Sequence, residues 1–187
     1  MQEREKWERR YQQAKGSVFG SEPSLVVRRA LPFLPRPGRC LDLAGGEGRN
    51  ALFLARLGRE VVVADCAVAG LARARRRFAA ADLCVRLLAA DLESAVLGQP
   101  RELFDLLLVV NFHDRSWVVN AHRWLRPGGV LVAQGFAKEQ LGRGTGGPSD
   151  PTFLWGANEL LALATPGLRV LLYEDHLVEE DENPAHR

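Results

Sequence analysis

Cys40-Leu41-Asp42-Leu43-Ala44-Gly45-Gly46-Glu47-Gly48-Arg49-Asn50-Ala51 is the stretch that decides the fold. Its first four residues form an apolar run carrying one acid, a glycine turn follows, and helical spacing runs from Arg49 to Leu57. A strand that ends in a glycine turn and feeds a helix is the opening unit of an open α/β sheet. Such a turn lies at the carboxyl edge of the first strand, near the point where strand order reverses and ligands bind. Glycine suits the position because a side chain there would fill the ligand's volume.

The next requirement is an acid at the end of the second strand. Val61-Val62-Val63-Ala64 runs directly into Asp65, about 20 residues beyond the turn, where a carboxylate can accept hydrogen bonds from both ribose hydroxyls. An aspartate at a strand-to-helix junction is also a frequent N-cap, and the ribose role is preferred because the turn and the spacing agree with it. Gly46 to Ala51 also satisfies G-x-G-x-x-A, so a nicotinamide- or flavin-dependent oxidoreductase stays open as an alternative. Asp42 inside the first strand and the Pro127-Gly128-Gly129 turn before the fifth point instead toward methyl transfer.

Working outward, residues 39–43, 60–64, 83–89, 104–110, 130–134 and 168–173 read as strands. Helical spacing occupies 3–14, 49–57, 68–80, 115–125 and 158–164, with a further helix opening at 20–23 and stopped by prolines 32, 35 and 37, and a short helix or turn at 92–97. The alternation predicts a three-layer α/β/α sandwich with a mostly parallel, doubly wound sheet. Residues 1–36 are expected to be N-terminal helices covering cofactor and substrate, and 37–187 the core, as a single domain overall. Residues 142–151, GRGTGGPSDP, form a loop and a candidate lid.

Composition narrows the class. The 25 basic and 23 acidic residues nearly balance, so charge advertises neither a nucleic acid nor a membrane as partner. Cys40, Cys66 and Cys84 make no C-x-x-C pair and sit beside apolar runs, which fits buried thiols in a reducing compartment. No apolar stretch approaches the ~20 residues needed to span a bilayer, and the charged N-terminus is unlike a secretory signal. A cytoplasmic location is expected. No histidine spacing suits a metal, and none is expected.

The chain resembles the class I S-adenosylmethionine (SAM)-dependent methyltransferases, most closely the small tellurite-resistance-type and thiopurine-methyltransferase-like branch. The resemblance rests on WERRY (7–11), FGSEP (19–23), LDLAGGEGRNA (41–51), Val63–Asp65, Ala90-Asp91-Leu92, LRPGGVLV (125–132) and GLRVLLYEDHLVEE (167–180). It implies SAM as cofactor, S-adenosylhomocysteine as product and a small-molecule methyl acceptor. Asp42, Ala44, Gly45, Gly46, Gly48 and Asn50 would then lie toward the methionine end, Asp65 at the ribose, and Asp91 at the adenine amino group with the backbones of Cys66 and Leu92 nearby. Asn111 would offer its backbone carbonyl to the methionine ammonium. Ala44 replaces the first glycine of D-x-G-x-G-x-G and is expected in an ordinary strand-end conformation. The final antiparallel strand usual in such folds is not expected from the acidic tail, residues 179–187, so either the chain is truncated relative to such proteins or the sixth strand pairs differently, and a monomer or a sheet-extended homodimer is expected. A noncatalytic SAM-binding relative is a further alternative.

On the substrate side His113, just past the fourth strand, is the candidate general base, since its ordinary pKa of about 6.5 suits the task. The competing reading has it bonding a neighbouring loop or facing solvent while Asp114 caps the next helix. Trp7 and Tyr11, four residues apart, are candidates to close over cofactor or substrate. Arg73, Arg75, Arg76 and Arg77 are read as a solvated helix face.

Overall fold

In a computed structural model of the chain, residues 2–92, 103–144 and 147–176 are described. Five parallel strands form one sheet in the order β3-β2-β1-β4-β5. They are β1 (Arg39–Leu43), β2 (Glu60–Asp65), β3 (Arg86–Ala89), β4 (Phe104–Val110) and β5 (Leu125–Gln134). Helices α1 (Gln2–Gln13) and α2 (Leu25–Ala30) precede the sheet; α3 (Arg49–Arg56) and α4 (Val68–Ala79) connect its first strands; α5 (Arg115–Val119) and α6 (Glu159–Ala164) follow β4 and β5.

Alternation along the strands divides the core in two. Cys40, Val61, Val63, Leu106 and Leu108 pack against Val27 of α2, Leu54 of α3 and Phe78 of α4. Leu41, Leu43, Leu107 and Val109 face the other way, onto Trp117 of α5 and Trp124. Burial on both faces is why β1 and β4 read as continuous apolar runs. β1 lies between β2 and β4, so the strand order reverses beside it, at the glycine turn.

The structure departs from the sequence reading in several places, β3 among them, which starts at Arg86 and not 83. Residues 168–173 form no strand: Val170, Leu171, Leu172 and Tyr173 are exposed, because β propensity is expressed only where a neighbouring strand takes the N–H and C=O groups. The helix expected over 115–125 ends at Val119, breaks at Asn120 and gives way to a 3-10 turn at Ala121–Arg123. β5 starts at Leu125 and not 130, since Leu125 already pairs with Phe104 and the LRPGG turn is absorbed as a register shift. Cys84 is exposed, whereas Cys40 is buried and Cys66 half-buried. The turn expected at 92–97 lies outside the described residues beyond Leu92, as does the tail at 179–187. No helix of the described residues is long and apolar enough to cross a membrane.

Candidate cofactor site

The turn after β1 is held by its own backbone and by β2. Gly45 N donates to Ala64 O (3.2 Å), Gly48 N to Gly45 O (2.8 Å), and Gly46 N to Asp65 Oδ2 (2.8 Å). Three turn residues have left-handed backbone: Ala44 at φ 51°, Gly46 at 54° and Gly48 at 72°. Ala44 therefore corrects the expectation of a strand-end conformation, and its Cβ costs about 1–2 kcal/mol there. The glycines are used for approach as well as for φ. A Cβ on Gly46 would collide with the Tyr11 hydroxyl, and one on Gly48 would press on Ala74 of α4.

Asp65 is bonded on both carboxylate oxygens by its own surroundings. Oδ1 accepts from Ala67 N (2.7 Å) at the entry to α4, while Oδ2 braces the turn through Gly46. Burial raises its pKa, and the donated N–H groups of Ala67 and Gly46 oppose that shift. Asp42, on β1 beneath the turn, is buried as well. Toward β3, Cys66 is half-buried, Asp91 is exposed and Leu92 is buried with its carbonyl accepting from Trp117 Nε1 (3.0 Å). Asn50 turns inward from α3, and its Oδ1 accepts from Ser24 N (2.8 Å). The structure thus gathers Asp42, Ala44 to Gly48 and Asp65 at one sheet edge, with Cys66 at its side, while Asn50 is committed to the N-terminal segment.

That segment is strapped onto the turn by residues the sequence reading missed. Glu47 is only 4% exposed. Its Oε1 accepts from Ser17 Oγ (2.5 Å), Val18 N (2.7 Å) and Phe19 N (3.2 Å), and its carboxylate pairs with Arg73 and Arg77 at 3.7 Å. Arg73 also donates to Ala14 O and Gly16 O, and Arg77 to Ser17 Oγ and Gly20 O. Arg49 donates to Phe19 O, Glu22 O and Ser24 Oγ. Glu8 of α1 accepts from Ala69 N in the first turn of α4. Arg73 and Arg77 are therefore not a solvated face; Arg75 and Arg76 are the exposed pair. The available signals were the i, i+4 spacing of those two arginines and a charged residue placed between two turn glycines.

The strap brings Tyr11 over Gly46, 5% exposed, with its ring against Gly70. Burial, then the carboxylates of Asp65 and Glu47, push its phenol pKa well up, so it stays protonated. Trp7 stacks between Tyr11 (6.0 Å between centroids) and Phe19 (5.8 Å), with Arg10 over its face.

Across the sheet, Asn111 follows β4 at φ 56°, a conformation asparagine tolerates better than most residues. Its N donates to Gln134 O (2.8 Å) and its Oδ1 accepts from Gln134 Nε2 (3.2 Å), so its side chain ties β4 to β5. Asp114 caps α5 through Ser116 N and Trp117 N. His113 does not face solvent: its ring lies 4.3 Å from that of Trp155 and 6.5 Å from Phe153, and Nε2 is sealed. Burial, with Arg115 nearby, lowers its pKa, so it is neutral at pH 7. The loop expected over 142–151 carries a 3-10 turn at Pro151–Phe153 that leads into Trp155, which bonds Phe136 O (2.9 Å).

Comparison with known proteins agrees with this architecture. Residues 40–129 match the family described as "Methyltransferase domain". Over 107 residues the chain is 42% identical to the demethylmenaquinone methyltransferase of Thermus thermophilus, covering 54% of this chain and 48% of that protein. The chain thus spans about half the length of that curated relative. Among solved structures, one from work on converting a disulfide bond into a thioacetal group during echinomycin biosynthesis superposes with TM-score 0.68 at 22% identity, over 88% of this chain and 78% of that one. TehB from Haemophilus influenzae gives 0.59 at 23% identity, over 75% and 49%. A TehB-like SAM-dependent methyltransferase from Corynebacterium glutamicum gives 0.57 at 20%, over 88% and 82%. The methyltransferase-domain match contains the glycine turn, and the five-stranded parallel sheet of this order is the fold the chain shares with those solved methyltransferase structures.

Proposed function

We propose that the chain transfers a methyl group from SAM to a small-molecule acceptor, with the glycine turn as the cofactor seat. The observation that carries this reading is the bond from Gly46 N to Asp65 Oδ2, which joins turn and acid at the point where the strand order reverses. The site fits the group: the turn presents close backbone, and two buried carboxylates, Asp42 and Asp65, suit a ligand that is cationic at sulfur and amine. When bound, SAM supplies an activated methyl on a sulfonium, whose leaving group is a neutral thioether.

The chain's own residues then have three tasks. Asp65, with Cys66, Asp91 and Leu92 beside it, holds the adenosine end. Asp42, the turn and the Asn111 backbone hold the methionine end. Tyr11 and Trp7, fixed by the Glu47 strap, cover the turn and exclude water. Alignment and desolvation of this kind are worth on the order of 7–11 kcal/mol in favourable intramolecular cases. His113 is assigned to the wall of the acceptor side, where it anchors the 150s segment through Trp155.

The demethylmenaquinone methyltransferase relative directs attention to quinone-type acceptors, and the branch resemblance to tellurite, selenite, thiols and small heterocycles. Incubation with methyl-labelled SAM and a panel of quinols, thiols, selenite and tellurite is expected to give labelled product and an equal amount of S-adenosylhomocysteine with one class. SAM binding with no turnover on any acceptor would instead identify a noncatalytic relative.

A further inference from the structure

Asp42 carries a buried oxygen that nothing among the described residues satisfies. The residue is 1% exposed, and its Oδ2 has no hydrogen-bond partner. It lies so close under the turn that a Cβ on Gly45 would stand 2.8 Å from Oδ2. The titratable and charged groups facing it are Cys40 on its own strand, Asp65 from β2 and Arg49 from α3, while β4 sets Leu108 opposite. Arg49 is the one cation of the set, and its guanidinium donates to Phe19 O, Glu22 O and Ser24 Oγ, which are uncharged. A carboxylate at Asp42 is therefore buried next to a second acid, with its nearest cation engaged elsewhere. A buried charge in that position is costly unless a cation arrives to balance it. Burial, followed by the repulsion of Asp65, pushes its carboxyl up to about 7, with Arg49 and the Ala51 N–H opposing the shift.

We propose that Asp42 senses the charge on the cofactor: it holds a proton in the free protein, releases it when SAM binds, and takes one back when the product replaces SAM. The inference rests on SAM occupying the glycine turn. In the binding step the carboxyl O–H breaks and the proton passes to the buffer, leaving a carboxylate that balances the added positive charge. After methyl transfer the cofactor sulfur is neutral and only the amine stays cationic, so the carboxylate has lost one of its two balancing charges, and proton uptake favours release of the product. Asp42 thereby sets a preference for SAM over S-adenosylhomocysteine that grows with pH, by up to about tenfold between pH 6 and pH 8 for a group titrating in that window.

Calorimetric titration at pH 6 in two buffers of different ionisation enthalpy tests this directly. The expected result is release of most of one proton per SAM bound, less for S-adenosylhomocysteine, and little for either at pH 8.5. Asp42→Asn is expected to bind SAM at pH 6 without buffer-dependent heat. Release that persists in Asp42→Asn would overturn the proposal. So would equal release with SAM and with S-adenosylhomocysteine in the unaltered protein, a comparison that does not depend on the variant folding. SAM binding with no proton exchange would overturn the proposal alone, whereas absence of SAM binding would overturn the cofactor seat and the proposal together.

Discussion

Ala44 is the residue where a local rule is broken most plainly. A side chain at φ 51° is strained, and the sequence motif calls for glycine there. The strain was not legible beforehand, since φ is set by how the turn folds back under Asp65 and not by Ala44's own neighbours. Ala44→Gly is expected to stabilise the protein by about 1 kcal/mol, the αL penalty less the extra chain entropy of glycine, as read by denaturant unfolding. At Asp42 the burial was partly legible, as an acid inside an apolar strand. Its folded-state pKa, raised from 3.8 to about 7, gives stability that is complete below pH 3.8 and lost as pH rises toward 7. Ligand-free Asp42→Asn is therefore expected to match the parent's melting temperature near pH 4 and exceed it above pH 7. Equal melting temperatures at pH 8 would show that the Asp42 charge is compensated.

Among the elements, legibility followed the range of the interactions. β4 was read at its observed bounds because Phe104 to Val110 is buried on both faces and Asn111 ends it in a left-handed turn. The run at 168–173 has the same apolar character and forms no strand, having no pairing strand among the described residues, which composition cannot reveal. The strap was missed because Glu47 finds its donors 28 to 30 residues away. Removing one side of a buried ion-paired cluster leaves the others uncompensated, at a cost of about 3–5 kcal/mol. Glu47→Ala is accordingly expected to loosen α1 and residues 14–20, and trypsin should cut at Arg9, Arg10 and Lys15 faster than in the parent. Unchanged cleavage would show that α1 is held by Tyr11 and Trp7 alone.

For the whole molecule, the parallel sheet, the reversal of strand order beside β1 and the gathering of Asp42, Gly46 and Asp65 were legible, because each follows from a strand, a turn and a spacing. The N-terminal segment was expected to lie over that edge, with Trp7 and Tyr11 facing it, whereas the Glu47 contacts that hold it there were not. One-to-one binding of SAM, measured by calorimetry on the unaltered protein and on Asp65→Ala, tests the central claim most directly. Each charge-assisted hydrogen bond lost is worth about 1.5–3 kcal/mol, so the variant is expected to bind SAM at least about tenfold more weakly. Binding of NAD in place of SAM, or SAM affinity unchanged in Asp65→Ala, would contradict it.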